Sequence, residues 1–159
     1  MNSAYHAVLI TIRTALAQLD AAVADLPDEA LDWTPAPGLN SATVLVRHAV
    51  TATAFLAATG AGLAPDRERY LKNDRAEAFA AKKGTVKALR ADIAALLEDI
   101  GPILGAGREE TLEQPAGWPW ADGRVPNCSE VLVHALGHLK EHTGQVEMLR
   151  DLWKARAGT

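Results

Sequence analysis

Three histidines lie four residues apart near the end of the chain, at His134, His138 and His142. On an α-helix a step of four residues turns by about 40° and rises about 6 Å, so His138 and His142 share one face, a turn apart. Two imidazoles placed one helical turn apart can bind the same divalent ion. The spacing therefore indicates candidate metal ligands, and the apolar pattern around them shows which ones face inward.

The apolar residues of this segment mark the side that packs against the core. That side is defined by Val131, Ala135, Val146, Leu149 and Trp153. His142 falls inside the apolar sector and His138 lies at its near edge, whereas His134 and Gln145 lie closer to its boundary. The periodicity favours His138 and His142 as inward-facing ligands.

His48 also lies on a predicted core-facing stripe, in a different helical segment. Its stripe neighbours are Val44, Leu45, Ala52 and Phe55. His48 lies near the middle of its segment, as His138 and His142 do in theirs, and metal sites in helix bundles are built from facing helices. Buried imidazoles need polar partners. A shared metal ion and a purely structural role in the core are therefore both open.

Other metal motifs fit the sequence poorly. There is no Glu-x-x-His pair, which a di-iron carboxylate bundle would need, and no His-Glu-x-x-His motif of a metalloprotease helix. The single cysteine, Cys128, excludes a cysteine-rich zinc site and an internal disulfide, and it suits a reducing compartment.

Four helical segments are expected to position these histidines, and no strand-like alternation is found. The segments cover about residues 3–25, 41–59, 85–100 and 127–153. Either Asn40 or Ser41 can cap the second segment and Asn127 can cap the fourth, and Gly101-Pro102 is expected to end the third segment. A short helix over residues 76–80 is expected within the polar connection. The pattern predicts an all-α, four-helix bundle with two longer crossing connections.

Length and charge narrow the class of protein. The 159 residues suit a single domain, residues 1–159. A net charge of −4 with dispersed basic residues argues against nucleic acid as a partner. The N-terminus lacks a signal-peptide pattern, and no apolar run reaches the roughly 20 residues of a membrane span. We expect a cytoplasmic protein without a membrane partner.

The stretch from His134 to Gln145 resembles the last-helix motif of the DinB-like superfamily, in which a His-x-x-x-His pair is followed by one residue and Gly-Gln. Residues 33–41, with His48 in the next helix, and residues 74–79 resemble other parts of the family pattern. The resemblance implies a DinB-like four-helix bundle, metal ligands at His48, His138 and His142, and zinc or nickel as the ion. It also implies a homodimer, and a neighbouring role for His134.

Family members with a known activity often transfer or isomerise small-molecule substrates with a low-molecular-weight thiol such as mycothiol or bacillithiol. The resemblance therefore suggests a metal-dependent thiol S-transferase or isomerase with a thiol cosubstrate. The alternative is a metal-binding bundle without turnover that acts through dimerisation or a partner protein.

Several residues are candidates for supporting such a site. His134, Glu141, Gln145 and Thr51 are candidates for orienting the ligands, because ligating histidines usually donate their second N–H to another polar group. Arg47 is a candidate for meeting a substrate carboxylate, with a plain surface role as the alternative. Trp118 and Trp120, in the long connection of residues 105–127, either shape a pocket rim or seal the end of the bundle.

Overall fold

The computed structural model describes residues 2–157 and is all-helical, with 71% of residues in helices and no strand in that range. Five helices follow one another along the chain. They are α1 (Ser3–Ala24), α2 (Ala42–Gly60), α3 (residues 67–80), α4 (Val86–Gly105) and α5 (Cys128–Ala157). Two short 3-10 turns, Asp28–Ala30 and Glu109–Thr111, lie in the connections. The all-α expectation is confirmed.

Capping side chains fix the starts of three long helices. Asn2 accepts a hydrogen bond from the Ala4 N–H at 2.7 Å in front of α1. Of the two candidate caps of α2, Ser41 accepts the bond, although the distance from the Val44 N–H is long at 3.4 Å. Thr85 accepts from the N–H of Ala88 at 3.1 Å and caps α4. These bonds satisfy N–H groups that have no partner inside the helix.

The start of α5 contains the predicted capping box. The Glu130 N–H donates to Asn127 Oδ1 at 2.8 Å, and the Asn127 N–H donates to Glu130 Oε2 at 2.9 Å. Two N–H groups at the helix start are thereby satisfied by a reciprocal pair. This fixes the first turn of the helix that carries three histidines.

Helix α4 continues past the expected stop at Gly101-Pro102 and ends only at Gly105. Proline lacks an N–H and so removes one intrahelical hydrogen bond. The turn is retained because Ile100 and Leu104, on either side of it, are both fully buried. Burial of two large apolar side chains outweighs the local cost of the proline, and the predicted helix end is wrong.

Helix α3 is longer than the short helix expected over residues 76–80. It consists of Arg67–Arg69, a π-helical turn at Tyr70–Asp74, and Arg75–Ala80. Only Tyr70 and Ala78 of this helix are buried, and most of its other positions are polar. A helix held by so few apolar residues has a weak periodic signal. Helix α3 packs along α2.

The four longer helices build the core together. Helix α1 packs against α4 and α5, and α2 packs against the same two helices. The main cluster of buried apolar residues draws on all four, with Ile12, Val46, Ile93 and Leu139 all completely inaccessible to solvent. Because α2 lies against α5, residues midway along these two helices can share one site.

Two helices, α1 and α2, reach the length and mean hydropathy of a membrane span. Neither helix is an uninterrupted apolar run, but the mean hydropathy of a window can be high even when it contains isolated polar residues. Within the protein, 39% of the most apolar window of α1 and 72% of that of α2 are buried. Core helices of soluble proteins pass the same criterion, so the observation is weak evidence of membrane insertion.

Candidate metal centre

Three imidazoles from α2 and α5 meet at the contact between the helices. His138 Nε2 lies 3.1 Å from His48 Nε2 and 3.1 Å from His142 Nε2. All three rings offer a ring nitrogen within 4.8 Å of the other two. His48 is only 7% exposed, and His138 and His142 are half-buried. The structure thus brings together the three residues that the sequence predicted as ligands.

The cluster has the spacing that a shared ion requires. Zinc–nitrogen bonds of about 2.0–2.1 Å in a tetrahedral site put neighbouring ligand atoms roughly 3.3 Å apart. The two observed separations of 3.1 Å are close to this value. Each side chain turns Nε2 toward the common point. The donor set of three imidazoles suits zinc and nickel alike, so these residues fit a divalent metal ion.

Hydrogen bonding alone leaves the cluster incompletely satisfied. Nδ1 of His48 and Nδ1 of His138 are both buried without a hydrogen-bond partner among the described residues. His138 Nε2 carries at most one proton, so it cannot donate to His48 and His142 at once. A cation at the Nε2 atoms would use all three Nε2 lone pairs, whereas the two Nδ1 atoms would stay without a partner. The arrangement favours a ligand role over a purely structural one.

Two of the histidines are held in the neutral form that binds metals. Burial lowers the pKa of His48 to about 4, with His142 and Arg75 adding smaller effects of the same sign. Burial likewise lowers the pKa of His138 to about 3, with contributions from the other histidines and Arg75. A protonated imidazole has no lone pair for a metal. At neutral pH these two side chains are therefore ready to coordinate.

Gln145 orients His142. Its Oε1 atom lies 2.7 Å from His142 Nδ1, and an amide oxygen can only accept, so Nδ1 carries the proton. The lone pair of His142 Nε2 then faces the cluster. The amide Nε2 of Gln145 in turn lies 3.4 Å from Glu141 Oε1. The arrangement is the one expected of a residue that fixes a ligand's tautomer, with Glu141 in a weaker, outer position.

His134 lies beside the cluster but outside it. Its ring centre is 6.0 Å from that of His138 and 5.8 Å from that of Trp120, and its side chain is exposed. Trp118 lies farther along the same face, 6.2 Å from Phe55. Trp118 thus packs on the apolar cluster around Phe55, and Trp120 packs beside His134.

Thr51 and Arg47 are directed away from the ligand nitrogens. The Thr51 hydroxyl donates to the backbone carbonyls of Arg47 and His48, not to an imidazole. The Arg47 Nε atom lies 3.5 Å from Asp92 Oδ2 of α4. Both residues line a separate cleft of about 470 Å³ between α2, α3 and α4. The contacts of Thr51 are to the backbone of its own helix, and those of Arg47 agree with the surface role that the sequence left open for it.

Helix α3 supplies a wall of the site that the sequence analysis missed. The Phe79 ring lies 4.5 Å from the His48 ring, centre to centre. The Arg75 guanidinium carbon lies 4.7 Å from the centre of the Phe79 ring. The stretch containing both residues stood out only through its resemblance to a family pattern. Only the packing of α3 on α2 reveals that they border the histidines.

The fold and the histidine cluster define an all-helical protein with a candidate three-histidine metal centre. Comparison with protein families matches residues 11–146 to the DinB superfamily. The matched range covers most of the chain and all three histidines, and the chain belongs to this superfamily. No curated protein shows significant similarity to it.

Proposed function

We propose that this protein binds one divalent metal ion, zinc or nickel, through His48, His138 and His142. The observation that carries the proposal is the pair of 3.1 Å separations between Nε2 atoms contributed by α2 and α5. The lowered pKa values of His48 and His138 support it, because neutral imidazole is the metal-binding form. Membership of the DinB superfamily is consistent with this function.

We further propose that the centre serves a thiol S-transferase or isomerase reaction. Structural zinc sites use four protein ligands, whereas catalytic sites use three and leave one position for water or substrate. When bound, a divalent ion lowers the pKa of a thiol or water and so supplies a nucleophile near neutral pH. In a transfer, the thiol loses its proton, sulfur bonds to an electrophilic carbon, and the leaving group departs with the electron pair of the broken bond.

The chain's own residues would prepare this chemistry. Gln145 holds the proton of His142 on Nδ1, so that Nε2 stays free. The Phe79 ring covers one side of His48 and keeps water from that face. Such preparation costs no rearrangement when the ligand arrives, which is the general advantage of a preorganised site.

Thermal unfolding with and without metal tests the first proposal. A ligand present at a thousand times its Kd stabilises the native state by about 4.1 kcal/mol, which for a chain of this size raises Tm by roughly 8–16 °C. We expect this rise in wild type and in His134→Ala, whose ring lies outside the cluster. His138→Ala should show no rise. A similar rise in His138→Ala would overturn the proposed ligand set.

A turnover assay tests the second proposal. The zinc- or nickel-loaded protein is mixed with a thiol, mycothiol or bacillithiol first, and the electrophile 1-chloro-2,4-dinitrobenzene, and thioether formation is followed by absorbance. We expect a rate above that of the metal-free protein and of His138→Ala. Metal binding without any rate above these controls would instead favour a metal-binding protein that acts through a partner.

We also propose that the four long helices form a DinB-like four-helix bundle and that the chain is a homodimer. The bundle is supported by the packing of α1 and α2 each against both α4 and α5. The dimer is supported by the family resemblance and by exposed apolar residues on α5, where Val133, Met148 and Leu152 are 68%, 61% and 42% exposed. Light scattering after gel filtration gives the mass, and a monomer at micromolar concentration would contradict the dimer.

A further inference from the structure

The π-helical turn in α3 places Arg75 on the same side as Tyr70. In a regular α-helix, residues five positions apart point about 140° away from each other. Here the Arg75 N–H bonds to the Tyr70 carbonyl, a π-type step of five residues. Arg75 is thereby stacked above Tyr70, and Phe79 follows one α-helical turn later. π-Helical turns inside α-helices frequently occur at functional sites.

This face of α3 is directed toward α2 and the histidines. Tyr70 stacks on Phe55 of α2 at 4.2 Å, and Phe79 packs on His48 at 4.5 Å. Arg75 lies between these two contacts.

The guanidinium of Arg75 is held in place by an aromatic ring and not by a carboxylate. It lies 4.7 Å from the centre of the Phe79 ring, in the range of a cation–π contact. Among residues 2–157, no acidic side chain lies within ion-pair distance of it. Arg47 and Arg69 differ, because Asp92 lies 3.5 Å from the first and Asp74 lies 3.8 Å from the second.

We propose that Arg75 binds the carboxylate of a small organic acid that binds beside the histidine cluster. Arg75 would then be a specificity-determining residue, and the ligands of the site would be carboxylate-bearing thiols or electrophiles. The inference rests on the proposed metal centre. A guanidinium presents two parallel N–H groups that match the two oxygens of a carboxylate, and this one is exposed and bordered by an aromatic ring.

The test compares two thiols that differ only in charge. 3-Mercaptopropionate carries a carboxylate, and its methyl ester is neutral. Each is titrated into the cobalt-loaded protein, and the change in cobalt absorption gives its Kd. The quantity of interest is the ratio of the two Kd values, because the ratio in a variant relative to wild type removes intrinsic differences between the thiols.

We expect Arg75→Gln to lower the preference for the acid over the ester by about tenfold, a change of about 1.4 kcal/mol. Arg75→Lys should retain part of it, because lysine keeps the charge but lacks the planar fork. Arg69→Gln is the matched control, since it removes the same charge from the same helix and should leave the ratio unchanged. Equal cobalt content and Tm show that each variant is folded.

The outcomes separate this inference from the proposal on which it rests. If cobalt binds and both thiols bind, but the ratio is the same in wild type and Arg75→Gln, the role of Arg75 is refuted and the metal centre stands. If Arg69→Gln lowers the ratio as much as Arg75→Gln does, a diffuse field and not a local contact is responsible, and the role is again refuted. If cobalt does not bind, the metal centre and this inference both fail.

Discussion

Replacing Gln145 by leucine tests whether the cluster is built to hold a metal. Leucine has a similar volume but cannot accept a hydrogen bond. The 2.7 Å bond from His142 Nδ1 to Gln145 Oε1 would be lost, and the His142 ring would be free to carry its proton on Nε2 instead. That tautomer has no lone pair facing His138. Metal binding would then require a tautomer shift and reorientation of the ring.

The size of the effect follows from the position of the bond. Removing a group that orients a ligating histidine typically weakens metal binding by about 10- to 100-fold. Because Gln145 is half-buried and its partner is neutral, the loss of the hydrogen bond itself should cost the metal-free protein only about 0.5–1.5 kcal/mol. The variant should therefore fold well but bind zinc poorly.

The assay is competition for zinc against a chromophoric chelator of known affinity, with urea unfolding of the metal-free protein beside it. Gln145→Glu is the matched variant, because its carboxylate can still accept from His142 and should bind zinc at least as tightly as wild type. Glu141→Gln should change zinc affinity by less than about threefold, since Glu141 contacts Gln145 only at 3.4 Å. Wild-type affinity in Gln145→Leu would refute the orienting role.

Three further predictions concern stability. Because the pKa values of His48 and His138 fall on folding from 6.5 to about 4 and about 3, the unfolded chain takes up these protons first. The contribution of these two neutral histidines to the stability of the metal-free protein is thus fully present above pH 6.5 and should be lost progressively as the pH falls toward 4. A urea midpoint that stays flat over this range would contradict this prediction. Asn127→Ala removes the cap of α5 and should cost about 1 kcal/mol in urea unfolding without changing zinc affinity, and a loss of affinity would show that the cap positions the ligands. Gly84→Ala should lower the free energy of unfolding by about 1–3 kcal/mol, because the new methyl group would overlap the buried Thr43 side chain. An unchanged urea midpoint would show that the backbone around residue 84 can shift to accommodate the methyl group at no cost.

The sequence predicts the long helices because their local signals and their tertiary packing agree. Apolar residues at steps of three and four define α1, α2 and α5, and the Asn127–Glu130 capping box fixes the start of α5 within a residue. The end of α4 could not be predicted, since Gly101 and Pro102 are local stop signals that the burial of the following turn overrides. Helix α3 could not be predicted at full length because it buries too little apolar surface to leave a pattern.

The candidate ligands could be predicted, but their surroundings could not. A step of four on one helix restricts two histidines to a single face, and His48 follows from its place on an apolar stripe. Arg75 and Phe79 reach the site through the π-helical turn and the packing of α3 on α2. Neither the turn nor the packing can be predicted from a local sequence pattern. The contact of Arg47 with Asp92 could not be predicted either, because Asp92 lies on another helix.

Metal content measured by plasma mass spectrometry tests the central claim most directly. Untagged wild type, His48→Ala and His134→Ala are each incubated with zinc or nickel and desalted. The three-histidine centre predicts about one equivalent of metal per chain in wild type and His134→Ala, and almost none in His48→Ala, because two imidazoles from one helix hold an ion far more weakly than three from two helices. Equal metal content in wild type and His48→Ala, or none in wild type, would contradict it.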